Sequence, residues 1–170
     1  FSVHPYNFTA PDASAEDVVD WLDRLRVRLA RHSKRLADHV YVTEIGWPNH
    51  DGPGGSSEED AASRLLKLFA LAKARPWVKG LWWYNLVDNG PDARDKEHRF
   101  GLATQSLAPK RTFAAFGTFA EMLKEAKFHG VRRDADGFQE VRFLTRSVLS
   151  VALVWRAERS GEGRIRTDSD

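Results

Sequence analysis

Residues 40–47 read VYVTEIGW, and this stretch decides how the rest of the sequence is interpreted. Its first six residues, Val40–Ile45, are rich in β-branched side chains, which favour a β-strand. Glu44 stands near the carboxyl end of that strand, where no packing requirement places a carboxylate. Burying a carboxylate costs free energy unless polar partners surround it. The stretch therefore predicts a strand that ends in a polar site.

Two further strands are predicted at the same interval along the chain. One is Phe1–Tyr6 and the other is Val78–Tyr84, so that Glu44 lies 38 residues after Tyr6 and 38 residues before Trp82. A strand, a helix and two loops repeated at this interval form a βα unit. Because crossovers between such units are right-handed, the three strands are expected to be parallel.

Amphipathic helices are predicted between and after these strands. The first two begin with capping boxes, SAED at residues 14–17 and SEED at residues 57–60, with Asp in place of the usual Glu. A third helix is predicted over Lys110–Lys127. Apolar residues recur at helical spacing and are expected to face the core: Val18, Leu22, Leu25 and Leu29 in the first helix, Leu65, Leu68, Phe69 and Ala72 in the second, and Phe113, Phe116, Ala120 and Leu123 in the third.

The pattern changes after Lys127, where strand-like runs follow one another without helices. These runs are Phe128–Arg133, Phe138–Leu144 and Val148–Trp155, with a turn, DADG, at residues 134–137. We therefore expect an α/β fold with a partial barrel over residues 1–127 and the start of a small antiparallel β domain over residues 128–170. The polar segment at residues 160–170 is expected to be frayed.

Composition excludes several classes of function. The 170 residues carry 26 basic and 24 acidic side chains, so the net charge of +2 gives no reason to expect a nucleic-acid partner. The absence of Cys excludes disulfides and a thiol nucleophile, and the His residues show no metal-ligand spacing. No apolar run approaches the roughly 20 residues of a membrane span. We expect neither a cofactor nor a metal.

The chemistry is concentrated at the ends of the three predicted parallel strands. These ends read HPY at residues 4–6, TEIGW at residues 43–47 and WWYN at residues 82–85. Long polar loops follow them, which favours a barrel over an open sheet because barrel active sites are built from such loops. Sugars stack on aromatic rings and bind polar groups through their hydroxyls, so this combination of side chains predicts a carbohydrate site.

The same motifs resemble a known family. H-x-Y, E-I-G-W and W-Y-x-x-x-D-x-G on successive strands are similar to strands 6, 7 and 8 of clan A glycoside hydrolases. HRFGL at residues 98–102 and PKR at residues 109–111 resemble the sub-group of families 5 and 39. The resemblance covers about residues 1–127. It implies the C-terminal three βα units of a TIM (β/α)8 barrel, in a retaining O-glycosidase acting on a polysaccharide or oligosaccharide outside the cell or in the periplasm.

The resemblance also assigns roles to residues. Glu44 matches the nucleophile, Tyr6 matches the phenol that hydrogen-bonds the nucleophile, and His4 matches an imidazole that binds substrate. The general acid of this clan is the Glu of an Asn-Glu pair on strand 4, and this sequence contains no Asn-Glu pair. The chain begins inside a strand, so we expect a fragment that does not hydrolyse glycosides alone.

The tryptophans allow two interpretations each. Trp83 matches the platform beneath the sugar, and Trp82 is the alternative because the doublet leaves the alignment ambiguous by one residue. Trp47 is either a sugar contact or a residue that packs within its loop. Three others are expected in the core: Trp21, Trp77 and Trp155. The acidic residues of the last long loop are expected to be solvated, and the alternative is that one contacts substrate or takes the place of the missing acid: Asp88, Asp92, Asp95 and Glu97.

Two other functions remain open at this point. A barrel that binds carbohydrate without catalysis would keep the same aromatic cleft. A doubly wound α/β domain with a nucleotide site would carry G-x-G-x-x-G after a strand, and the sequence lacks that motif. Three strands do not close a barrel, so we also expect self-association through the open barrel edge.

Overall fold

The three predicted parallel strands form one sheet in the computed structural model, which describes residues 1–7, 13–147, 150–156 and, by backbone alone, 164–168. They are β1, Ser2–Val3, β2, Val40–Ile45, and β3, Val78–Trp83, in the order β1-β2-β3. Both pairings are parallel. The carboxyl ends of all three strands therefore meet at one edge of the sheet.

Four α-helices in the described part of the chain connect or follow the parallel strands: α1, Ala15–Ala30, α2, Lys34–Ala37, α3, Glu58–Lys73, and α4, Arg111–Leu123. A short 3₁₀ helix, Lys96–His98, lies in the loop after β3. Both predicted capping boxes are confirmed. At α1 the Ser14 hydroxyl accepts from the backbone N–H of Asp17, and the Asp17 carboxylate accepts from the backbone N–H of Ser14, each at 3.1 Å. Ser57 and Asp60 make the same reciprocal pair at the start of α3.

The core-facing stripe of α4 was predicted only in part: Leu123 is buried and Phe116 packs on Phe69 as expected, but Phe113 and Ala120 do not face the core. Thr112, Phe119 and Leu123 are buried, whereas Phe113 is 47% exposed and Ala120 is also exposed. The helix is rotated because Phe69 of α3 receives the edges of Phe116 and Phe119, at 5.4 and 5.7 Å between ring centroids. The helix also ends at Leu123 instead of Lys127, which begins the next strand.

The second sheet is antiparallel, in the order β4-β5-β6-β7. Its strands are β4, Lys127–Arg133, β5, Phe138–Leu144, β6, Ser150–Arg156, and β7, Arg164–Asp168. The predicted turn at residues 134–137 is confirmed, with Gly137 at a φ of 81° that favours glycine. Residues 148 and 149 of the third predicted strand lie outside the described residues. Residues 164–168 pair with β6, so the expectation that this part of the C-terminal segment is frayed is wrong. Residues 160–163 and 169–170 lie outside the residues that the structure describes.

The two sheets share one hydrophobic core with the helices. Phe143 and Trp155 of the antiparallel sheet join the same buried cluster as Leu22 of α1 and Leu68 of α3. The Trp155 indole N–H also donates to the Glu16 carboxylate at 2.5 Å. Trp77 is buried as predicted, but Trp21 is 41% exposed, so its assignment to the core is wrong. None of the helices in the described part of the chain is long and apolar enough to cross a membrane.

The parallel sheet has one covered face and one open face. Val40 and Val42 of β2 are fully buried and join the core beneath α1 and α3. The alternate residues Tyr41 and Thr43 are exposed, and so is Trp82 of β3. The described residues of this chain therefore leave that face of the sheet uncovered.

Candidate active site

The Glu44 carboxylate lies between two side chains that follow β1. His4 Nδ1 lies 3.0 Å from Glu44 Oε2, and His4 Nε2 lies 3.0 Å from the Thr43 hydroxyl. The Tyr6 phenol is hydrogen-bonded to the same carboxylate. A backbone bond of 3.0 Å from the Tyr6 N–H to the His4 carbonyl bends the chain just after β1. Since β1 and β2 are parallel neighbours, Glu44 meets His4 and Tyr6, which lie 40 and 38 positions earlier in the sequence, at one edge of the sheet.

The electrostatics of this cluster keep the phenol protonated. Burial raises the pKa of Tyr6 far above its ordinary value, and the Glu44 carboxylate raises it further. The phenol therefore keeps its proton and donates a hydrogen bond to the Glu44 carboxylate. The Glu44 side chain is 31% exposed, so a ligand can approach it while Tyr6 and His4 hold its orientation. Such a carboxylate can act as a nucleophile or as an acceptor for ligand hydroxyls.

The three tryptophans of the predicted site differ in their packing and exposure. Trp83 lies against Trp47, with ring centroids 6.0 Å apart and planes tilted by 38°, and its indole N–H donates to the Phe100 carbonyl. Trp47 is only 1% exposed, so packing is the interpretation of this residue that the geometry favours. Trp82 is 52% exposed and presents its ring on the open face of the sheet.

Two aromatic residues that the sequence analysis did not single out lie beside the cluster. Tyr84, directly after β3, packs edge-on against Phe100 at 5.4 Å between ring centroids. Phe100 is buried and packs edge-on against Tyr6 at 6.2 Å. The available signal for Tyr84 was its place in the motif WWYN. Because β3 ends at Trp83, strand alternation does not fix the direction of the Tyr84 side chain.

Asp88 corrects one expectation of the sequence analysis, since it is buried and not solvated. Its Oδ1 accepts from Lys110 Nζ at 2.6 Å and from the Gly101 backbone N–H at 2.8 Å, and its Oδ2 lies 3.4 Å from Arg99 Nη1. Lys110 Nζ also donates to Asn49 Oδ1 at 2.7 Å. Burial lowers the pKa of Lys110, while the Asp88 carboxylate opposes that shift. This buried ion cluster ties the loops after β2 and β3 to the start of α4.

The described residues include no group of three or more His, Asp and Glu side chains arranged to hold a metal ion. The polar atoms at the strand ends are instead engaged with one another, as the His4–Glu44 contact shows.

Comparisons with known proteins identify the fold. No family model and no curated protein matches the sequence. Among solved structures, a family 39 glycoside hydrolase from the gut symbiont Bacteroides cellulosilyticus WH2 matches with a TM-score of 0.62 and 24% identity, over 73% of this chain and 24% of that chain. The chain is similar in fold to glycoside hydrolases. This confirms the expected resemblance at the level of the fold.

Two family 5, subfamily 18 structures extend the likeness. The one from Streptomyces cattleya, in complex with GlcNAc, has a TM-score of 0.55 and 20% identity over 72% of this chain and 30% of that chain. The one from Bifidobacterium longum, a variant in complex with Manβ1-4GlcNAc, has a TM-score of 0.55 and 18% identity over 78% and 32%. The matched proteins are TIM-barrel glycoside hydrolases. The chain spans about a quarter to a third of their length.

Proposed function

We propose that the chain supplies the C-terminal three βα units of a (β/α)8 barrel, strands 6 to 8, in a retaining O-glycosidase that acts on a polysaccharide or oligosaccharide. Glu44 is its nucleophile. The observation that carries the proposal is the Glu44 carboxylate, held between the Tyr6 phenol and the His4 imidazole at the ends of two parallel strands. Active sites of barrels lie at that edge, and the likeness in fold to glycoside hydrolases supports the assignment.

In this mechanism Glu44 attacks the anomeric carbon, and the bond from that carbon to the leaving oxygen breaks as a general acid protonates it. Water then cleaves the glycosyl ester, and the product keeps its original configuration. Tyr6 donates a hydrogen bond to Glu44 and helps to hold the carboxylate in position. The general acid must stand about 5–5.5 Å from Glu44. We assign it to βα units outside this chain, and we refer to the chain together with those units as the complete barrel.

Substrate binding is assigned to the remaining residues of the open face. His4 is close enough to Glu44 to bond a hydroxyl of the sugar attached there. Trp83 is the platform that the motif assigns and Trp82, whose ring is exposed in this chain, is the alternative, whereas Trp47 packs behind Trp83. Because two of the matched structures hold GlcNAc or Manβ1-4GlcNAc, β-glycosides of these sugars are the first substrates to test.

Replacement of Glu44 in the complete barrel tests the proposal. Glu44→Gln keeps the shape of the side chain but removes the anion, so turnover should fall by several orders of magnitude while the melting temperature is unchanged. Azide added to Glu44→Gly should restore cleavage of an activated substrate and yield a glycosyl azide of inverted configuration, because the anion enters from the face that the carboxylate vacated.

The matched control is Glu121→Gln on the exposed side of α4, which should leave turnover unchanged. Near-normal turnover in Glu44→Gln, with the same melting temperature as the wild type, would refute the assignment. Retained binding of sugar by a wild type without turnover would favour the non-catalytic carbohydrate-binding barrel.

A further inference from the structure

Both polar atoms of the Asn89 side chain, in the loop after β3, make hydrogen bonds. Its Oδ1 accepts from Asn85 Nδ2 at 2.9 Å. Its Nδ2 donates to the Tyr84 phenol oxygen at 3.0 Å and to the Glu97 backbone carbonyl at 3.1 Å. The side chain thus joins the residue that follows β3 to the turn that carries Glu97.

The Glu97 carbonyl fixes which way the amide points. A carbonyl oxygen only accepts hydrogen bonds, so the nitrogen of the amide must face it. The two amide hydrogens are then used by the Glu97 carbonyl and the Tyr84 phenol oxygen. Tyr84 is therefore the acceptor of this bond, and its own proton must point elsewhere.

The Tyr84 hydroxyl proton meets no acceptor within the part of the chain that the structure describes. Its ring lies edge-on to Phe100, which also packs against Tyr6 beside Glu44. Tyr84 is half-buried, so its hydroxyl can be reached from solvent. The Tyr84 phenol thus accepts one hydrogen bond, from Asn89, and its own proton is available for a second.

We infer that Asn89 is a positioning residue that makes Tyr84 a hydrogen-bond donor to a ligand oxygen bound beside Glu44. The ligand class is one that presents an uncharged acceptor oxygen there, such as a hydroxyl or the ring oxygen of a sugar. The identity of the ligand rests on the proposed glycosidase function, whereas the orientation of Tyr84 rests on the amide alone.

A double-mutant cycle in the complete barrel tests whether Asn89 acts through Tyr84. With 4-nitrophenyl β-glycosides of GlcNAc, mannose and glucose, Tyr84→Phe and Asn89→Ala should each lower kcat/KM by about tenfold, the value of one well-placed hydrogen bond. The double variant should be no slower than Tyr84→Phe, because the hydroxyl that Asn89 orients is already absent. Additive losses, about a hundredfold in the double variant, would overturn the inference.

A second measurement does not depend on catalysis. In the complete barrel labelled with ¹³C at tyrosine Cζ, the signal of Tyr84 is the one lost in Tyr84→Phe, and the signal of Tyr41 is the one lost in Tyr41→Phe. Asn89→Ala and the isosteric Asn89→Asp should both move the Tyr84 signal and leave that of Tyr41 in place. A Tyr84 signal unmoved in both variants would overturn the inference. If the wild type hydrolyses no glycoside, the proposed function fails, and this spectrum still decides the role of Asn89.

Discussion

Replacing Lys110 by Met should weaken the loops around the site more than any exposed lysine would. The Lys110 ammonium and the Asp88 carboxylate are both almost completely buried and lie 2.6 Å apart. Removing one partner of a buried ion pair costs about 3–5 kcal/mol, since the other charge stays buried. Arg99, at 3.4 Å, and the Gly101 N–H remain beside Asp88. We therefore expect a loss at the lower end, about 3 kcal/mol.

Hydrogen exchange of the complete barrel, followed by mass spectrometry, measures this loss where it occurs. The Gly101 amide donates to Asp88, so peptides that contain residues 99–104 report on the cluster. A loss of about 3 kcal/mol in the free energy of local opening corresponds to exchange about a hundredfold faster. Peptides from α1, which supplies no hydrogen-bond partner of Lys110 in the described part of the chain, should exchange at the wild-type rate.

Lys124→Met is the matched control for this experiment. Lys124 also faces a carboxylate, Glu121 at 3.6 Å, but its side chain is mostly exposed. Exposed pairs contribute about 0–1 kcal/mol, so exchange should change little. If Lys110→Met accelerates exchange of residues 99–104 less than threefold, the buried ion cluster does not hold the loops together and the reasoning is refuted.

Three further predictions concern the site and the open sheet. Folding raises the pKa of Tyr6, so above about pH 10 the folded protein holds a proton that the unfolded chain loses. The stability of the wild type relative to Tyr6→Phe should therefore fall as the pH rises, by up to about 1.4 kcal/mol per pH unit. A difference in melting temperature between the two proteins that stays constant from pH 8 to 11 would contradict this. Gly46→Ala should unfold or distort the site, because the new methyl group would collide with the Tyr84 carbonyl, whereas Gly117→Ala in α4 meets open space and should leave the melting temperature equal or higher. Residues 1–170 expressed alone should aggregate or form oligomers through the open sheet, and a monodisperse monomer in sedimentation would contradict this.

Local signals predicted the framework of the fold. The strand Val40–Ile45 was predicted with its observed bounds because β-branched residues fill it. The capping boxes at Ser14 and Ser57 placed the starts of α1 and α3 because the cap is made by side chains three residues apart. The meeting of His4 and Tyr6 with Glu44 followed from parallel pairing, which brings equivalent strand ends together.

Signals that depend on distant partners were not visible in the sequence. Asp88 was expected in solvent because its cation, Lys110, lies 22 residues further along in a stretch interpreted as helix. The register shift between Val42 and Ile45 places an extra residue in β2, where Glu44 lies, and alternation alone does not reveal it. Tyr84 was missed because the strand was predicted to include it, whereas β3 ends at Trp83.

Trapping of the covalent glycosyl-enzyme tests most directly whether Glu44 is the nucleophile. The complete barrel is treated with activated 2-deoxy-2-fluoro glycosides, whose fluorine slows hydrolysis of the intermediate, and the digested protein is analysed by mass spectrometry. The account predicts one added sugar on the peptide that contains Glu44, as an ester of that carboxylate, and no label in Glu44→Gln. A label on a different carboxylate, or the same label in Glu44→Gln, would contradict it.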